Sequence, residues 1–154
     1  MSSKIIFTVL LLLCGCVSNA SDVQPNKMVS DFYRLSMSEQ MRQFSDHTLD
    51  EQYELYIFGN KVVHPPATYL AEPFARRGAN VVPFLKAKLK AETEEARIRD
   101  ITFVFTEMAR LRLYDFSRDV ELMDLLSGKA HSMQGIWRDI TLKFVAEIQR
   151  ARSE

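Results

Sequence analysis

From Val29 to Ile148 the apolar residues recur every three or four positions, and no stretch alternates with a period of two. An α-helix turns once in about 3.6 residues, so this spacing lays apolar side chains along one face, whereas a strand needs alternation. The body of the chain is therefore expected to be all-α. Both cysteines, Cys14 and Cys16, precede this region. No disulfide braces the body, and its helices must be held by a shared apolar core. The same absence removes cysteine nucleophiles, thiolate metal sites and redox pairs from it. The 154 residues, 47% of them hydrophobic, suffice for one domain with a substantial core. A domain of that size buries roughly two thirds of its unfolded surface.

Local signals divide the body into elements. Val29, Phe32, Tyr33, Ser36, Met37, Met41 and Phe44 mark a first helical face. Ser36 and Glu39 have the spacing of a capping box that would interrupt it. Thr48 and Glu51 form a second box, ahead of a helix carrying Tyr53, Tyr56 and Ile57. Gly59-Asn60 is expected to stop that helix. Val62 to Pro66 must be extended, because residues before proline avoid the helical region. Pro73 predicts a kink, or a restart with Pro73 in the first turn, since an interior proline costs about 3 kcal/mol. Gly78 ends that element, and Asn80 is expected to cap the next, with Pro83 in its first turn. There Val81, Phe84, Leu85 and Leu89 face inward, and Lys86, Lys88 and Lys90 outward.

The strongest helix is expected from Thr93 to about Arg112. Ile98, Ile101, Phe105, Met108 and Leu111 form its stripe, widened by Val104. Ser117 is expected to cap a short helix with Val120, Leu122, Leu125 and Leu126, ended by Gly128. A last helix, from about Ser132 to Arg150, sets Met133, Ile136, Trp137, Ile140, Phe144 and Ile148 on one face.

Ahead of the body stand Lys4, an apolar run from Ile5 to Leu13 broken only by Thr8, and a set of small residues. This order resembles a secretory signal. The run has nine residues, against roughly 20 for a membrane-spanning helix. Leu13-Cys14-Gly15-Cys16 resembles the bacterial lipobox. The resemblance implies cleavage between Gly15 and Cys16, with lipid on Cys16. Val17, in place of the aspartate associated with inner-membrane retention, implies an outer-membrane lipoprotein facing the periplasm. The chain then divides into a signal peptide (1–15), a lipidated cysteine with a polar tether (16–26) and a single all-helical domain (27–154). Ser18 and Ala20 also allow ordinary cleavage after Ala20, which would release a soluble periplasmic or secreted protein. In a eukaryotic secreted protein, Asn19-Ala20-Ser21 would be a glycosylation sequon.

Leu70-Ala71, Phe74-Ala75, Gly78, Val82-Pro83-Phe84-Leu85 and Leu89 resemble the HEAT-type helical repeat over residues 67–112. In that family one helix ends at a glycine, and a second begins with Val-Pro before a leucine pair. An acidic turn and an arginine follow, here Glu92 to Arg97. The resemblance implies stacked helix pairs presenting a protein-binding surface. No second copy is legible, and repeats normally come in threes or more. The fold is therefore expected to be a short HEAT-like helical-hairpin solenoid or an irregular helical bundle.

Without residues 1–15 the chain loses one positive charge, Lys4, and no acid, leaving 19 basic residues against 20 acidic. That balance argues against nucleic acid as a partner. His47, His64 and His131 are far apart, and no paired-histidine helix face is present. Asp46, His47, Asp50 and Glu51 gather at a helix start, where acids are favoured by the helix dipole without any metal. His64 before Pro65-Pro66 reads as a turn residue. There is no Gly-x-Ser-x-Gly elbow, and five glycines build no phosphate loop. No catalytic residue, metal or cofactor is expected.

Arg76, Arg77, Lys86, Lys88 and Lys90, continued by Arg97 and Arg99, form the one charge asymmetry. Glu72, Glu92, Glu94, Glu95, Asp100 and Glu107 are interspersed. The set reads as a solvated face with local ion pairs, or as a docking stripe for an acidic partner or anionic lipid head groups. Tyr53, Tyr56, Phe58 and Tyr69 read as core, or as a second partner surface. Taken together, the residues suggest a lipid-anchored envelope protein. It would act without catalysis as a helical protein-binding module, an accessory subunit or adaptor for an envelope partner. An immunity-type inhibitor of an exported toxin is the alternative, and an envelope enzyme a third.

Overall fold

The structure is a computed structural model that describes residues 26–151. The signal-like segment, Cys16 and most of the tether lie outside the described residues. Among the described residues there are eight α-helices and no strand, so the fold is all-α. The first helix, α1 (Lys27–Phe32), starts at Asn26, whose side-chain oxygen accepts from the Val29 amide at 2.9 Å. The chain breaks at Ser36, where the expected box closes: its hydroxyl accepts from the Glu39 amide, and the Glu39 carboxylate accepts from the Ser36 amide. That box opens α2 (Met37–Gln43). Thr48 and Glu51 do the same for α3 (Leu49–Val62).

Gly59-Asn60 does not stop α3. The helix continues to Val62 with both residues buried inside it. Glycine stands at 59 because a neighbour passes close: a Cβ there would overlap the Tyr33 hydroxyl and lie 2.5 Å from the Ala67 Cβ. After Val63, which is extended, and a cis His64–Pro65 bond, a 3-10 turn (Thr68–Leu70) leads into α4 (Ala71–Ala75). Pro73 lies in the first turn of α4, so the helix restarts there rather than kinking. Gly78 has a φ of 60°, a left-handed conformation that suits glycine.

Another 3-10 turn (Gly78–Val81) runs directly into α5 (Val82–Ala91). Asn80 sits inside that turn and caps nothing. The preceding turn delivers the chain already coiled, and Pro83 removes one of the amides a cap would serve. Helix α6 (Glu95–Arg110) closes in a Schellman arrangement, with Arg112 at φ 55°. The Leu113 amide donates to the Met108 carbonyl and the Arg112 amide to the Ala109 carbonyl.

Asp119, not Ser117, caps α7 (Val120–Ser132); its carboxylate accepts from the Leu122 amide at 3.0 Å. Ser117 belongs to a short 3-10 turn capped by Asp115. Gly128 does not end α7, which runs on to Ser132. A Cβ at Gly128 would meet nothing within 4 Å. Gly128→Ala is therefore expected to stabilise the protein by about 1 kcal/mol, the helix-propensity difference. A urea midpoint that falls instead would show that the glycine is required there.

The last helix, α8 (Arg138–Ala151), begins later than the apolar spacing suggests. Glu95 decides this: its carboxylate accepts from the amides of Gln134 (2.6 Å) and Gly135 (2.9 Å), fixing the link before the helix. Ile136 consequently leaves the expected face and is 85% exposed. The buried face of α8 is Thr141, Val145 and Ile148. The hydroxyls of Thr102, Thr106 and Thr141 donate to carbonyls one turn back, which satisfies them in an apolar setting.

Helix α6 is the central element, packed against α3, α4, α5, α7 and α8, while α1 lies on α3. Buried apolar side chains from Val29 to Ile148 form one cluster. Helix α5 starts at Val82-Pro83, whereas α4 is only five residues long and ends at Ala75, before Gly78. No helix among the described residues is long and apolar enough to cross a membrane.

Candidate functional site

A cleft of about 540 Å³ opens between the end of α3, the segment 64–68, the first half of α6 and the start of α8. Ile57, Phe103, Trp137 and Phe144 wall it, with the Phe103 and Phe144 rings 5.0 Å apart. Two polar residues that α3 and α6 turn inward lie beneath these walls. Asn60 is 8% exposed, and neither atom of its carboxamide has a hydrogen-bond partner. Asp100 is 5% exposed. The Tyr56 hydroxyl donates to the Asp100 carbonyl at 3.0 Å, with the Asn60 carboxamide as its other polar neighbour. Burial pushes that phenol well above its ordinary range.

Burial also pushes the Asp100 carboxyl up to about 6, against the opposing pull of Arg99. Arg99 donates to one Asp100 oxygen through Nε (2.8 Å) and Nη2 (2.5 Å). Its guanidinium lies 3.8 Å from the centre of the Trp137 ring. At the mouth, Glu94 joins Lys61 (3.6 Å) and Arg97 (2.9 Å), and Arg97 also reaches Glu92 (3.6 Å). Exposed His64 completes the rim. Apolar walls with a few convergent polar groups are the composition of a ligand site.

The raised carboxyl has a stability consequence. Folded Asp100 binds its proton more tightly than the ordinary aspartate at 3.8, so its ionisation opposes folding. The penalty is absent below about pH 4, grows through the window to about pH 6 and is constant above it. Wild type is expected to lose on the order of 2 kcal/mol relative to Asp100→Asn between pH 4 and pH 7. Urea unfolding of both proteins at the two pH values tests this; a pH-independent difference would rule it out.

The basic residues singled out by charge occupy a different part of the molecule. Arg76 pairs with Glu72 at 2.7 Å. Arg77 donates to the carbonyls of Ser45 (2.6 Å) and His47 (3.1 Å), tying the end of α4 to the loop before α3. Lys86 bridges Asp119 (3.2 Å) and Glu121 (2.9 Å). Lys88 pairs with Asp50 at 2.9 Å and lies 5.0 Å above the rings of Tyr53 and Phe84. Lys90 is exposed at the end of α5. Only Arg97 and Arg99, at the far end of that set, reach the cleft.

Tyr56 is wholly buried, and Tyr53, Phe58 and Tyr69 pack half-buried against the core. At the start of α3, His47 stands 3.8 Å from Glu51 while Asp50 is turned to Lys88. Among the described residues no group of three or more acids or histidines is close enough to hold a metal ion. The cleft was not foreseen from the sequence, although two signals for it exist. Asp100 interrupts an apolar stripe, and Phe103 stands off that stripe where only a second wall can cover it. The chain matches no protein-family model, no curated protein and no solved structure.

Proposed function

We propose that the chain is a lipid-anchored protein of the bacterial cell envelope that acts without catalysis as a helical protein-binding module, an accessory subunit or adaptor. The observation that carries this reading is the order Lys4, Ile5 to Leu13 and Leu13-Cys14-Gly15-Cys16, followed by a short polar tether. Cys16 serves as the anchor on the outer membrane, and the helical body faces the periplasm. Tethering raises the body's effective concentration at the membrane, so a weak docking face suffices. That face is the basic stripe of α4 and α5. Arg76, Lys88 and Lys90 offer charge, while Arg77 and Lys86 hold the scaffold beneath. Exposed ion pairs such as Arg76–Glu72 contribute only about 0–1 kcal/mol, so an acidic partner can exchange them at little cost.

The test is the intact mass of the protein from native membranes, for wild type and Cys16→Ser. The expected chain begins at Cys16 and carries added acyl mass, and the variant loses both that mass and membrane retention. A chain beginning at Ser21 without added mass would overturn the anchored reading. Crosslinking in intact envelopes tests the face. Lys88→Glu with Lys90→Glu is expected to remove the crosslinked adduct, and an unchanged adduct would place docking elsewhere.

A further inference from the structure

We infer that the cleft between α3, α6 and α8 is a binding site for a small molecule with an extended apolar chain ending in a carboxylate, whose head group replaces Asp100 on Arg99. This inference stands apart from the anchored-module reading, because it rests on the cleft alone.

Size and lining point to the tail. An apolar cavity of about 150 Å³ holds one benzene-sized ring, so a single inserted side chain would leave most of 540 Å³ vacant. That volume lies within the roughly 300–1,000 Å³ of small-molecule sites. Phe103 and Phe144, packed on each other at 5.0 Å, join Ile57 and Trp137 as the apolar lining for the chain.

Charge points to the head. The lining carries three permanent cations, Lys61, Arg97 and Arg99, with the carboxylates Glu94 and Asp100, and Glu92 stands 3.6 Å from Arg97, so the selection for an anion rests on Arg99 and not on a net excess of charge. Arg99 is the cation best placed for a carboxylate. Its planar fork sits over the Trp137 ring, so it presents paired donors without first being ordered. Asp100 is the counter-ion it can release. An aspartate left behind as a buried charge would normally block such an exchange. Here burial already holds that carboxyl near 6, so once Arg99 is withdrawn it takes a proton instead. The other charged group acting on it is Glu94, whose negative charge favours the same protonation. Lys61 and Arg97 stay paired with Glu94 at the mouth.

Trp137 is the only tryptophan of the chain, so its fluorescence reports the cleft directly. The protein as isolated from cells is titrated with octanoate, octan-1-ol and octyltrimethylammonium. Octanoate is expected to change the emission saturably. The alcohol should need at least about tenfold more, the effect of losing one charge-assisted contact. The ammonium should not saturate. Ala96→Leu fills the cleft from α6 without harming the helix and is expected to abolish the octanoate response. Arg99→Gln is expected to lower octanoate to the level of the alcohol. Equal responses to all three chains would overturn the site, as would an octanoate response that survives Ala96→Leu. The absence of any saturable response in the unaltered protein, with its helical circular dichroism intact, would overturn it too. The three-probe comparison needs no variant, so it decides the matter even if Arg99→Gln fails to fold.

Discussion

Truncating Phe74 to alanine is expected to destabilise the protein by about 4 kcal/mol, within the usual range for a fully buried phenylalanine. Phe74 has no exposed surface, and its ring meets Phe44 at 5.6 Å and Tyr56 at 6.2 Å, both nearly edge to face. Those contacts join the turn after α2, the middle of α3 and α4. Each edge-to-face pair adds about 0.5–1.5 kcal/mol beyond burial. The cavity cannot be healed cheaply. Helix α4 has only five residues, so its shape comes from this packing rather than from its own hydrogen bonds. Thermal unfolding is expected to fall by about 15 °C. Phe74→Leu, which keeps most of the volume, should lose about a third as much. A loss below about 1 kcal/mol for the alanine variant would remove Phe74 from the centre of the core.

Gly59→Ala is expected to cost about 3 kcal/mol, although alanine is favoured over glycine in a helix by about 1 kcal/mol. The added methyl overlaps the Tyr33 hydroxyl, which donates to the Leu55 carbonyl at 2.7 Å. It also meets the Cβ of Ala67 at 2.5 Å, and that atom moves only with its backbone. The residues before and after α3 are thus both closed against one position. A double-mutant cycle isolates the clash with the hydroxyl. Tyr33→Phe alone gives up one hydrogen bond, about 1 kcal/mol. In the Gly59→Ala background it should be less harmful, because the hydroxyl no longer has to be displaced. Additive losses would show that Ala67, or the ring carbon Cζ of Tyr33 that phenylalanine keeps at 2.7 Å, sets the limit. Gly128→Ala, with open space around it, is the control of opposite sign.

These two glycines show why helix boundaries were only partly legible. From sequence, Gly59 and Gly128 carry the same stop signal. In the fold both lie inside helices, one beneath a tyrosine and the other in open solvent. The caps at Ser36 and Thr48 were readable because donor and acceptor are three residues apart, and the spacing itself brings them together. Asn80 and Ser117 had suitable chemistry, but Asn80 lies inside the turn that runs straight into α5, and Asp119, next to α7, takes the Leu122 amide. The candidate cleft was less legible still. Trp137 and Asp100 are brought together by Arg99, and the start of α8 is set by Glu95, whose carboxylate reaches Gly135 across 40 positions.

What the sequence determined by itself is the all-α class, the inward stripe of α6 and the two capping boxes. Each follows from interactions within one or two turns of chain, whose geometry is the same wherever the helix lies. Tertiary structure alone decided which helices meet, that Ile136 is left in solvent, that Arg77 and Lys86 brace the scaffold, and that Asp100 holds its proton unusually well. Those outcomes depend on what a distant segment brings to the same place. Burial and charge pairing are properties of that meeting, and a periodic pattern of apolar residues carries no record of it.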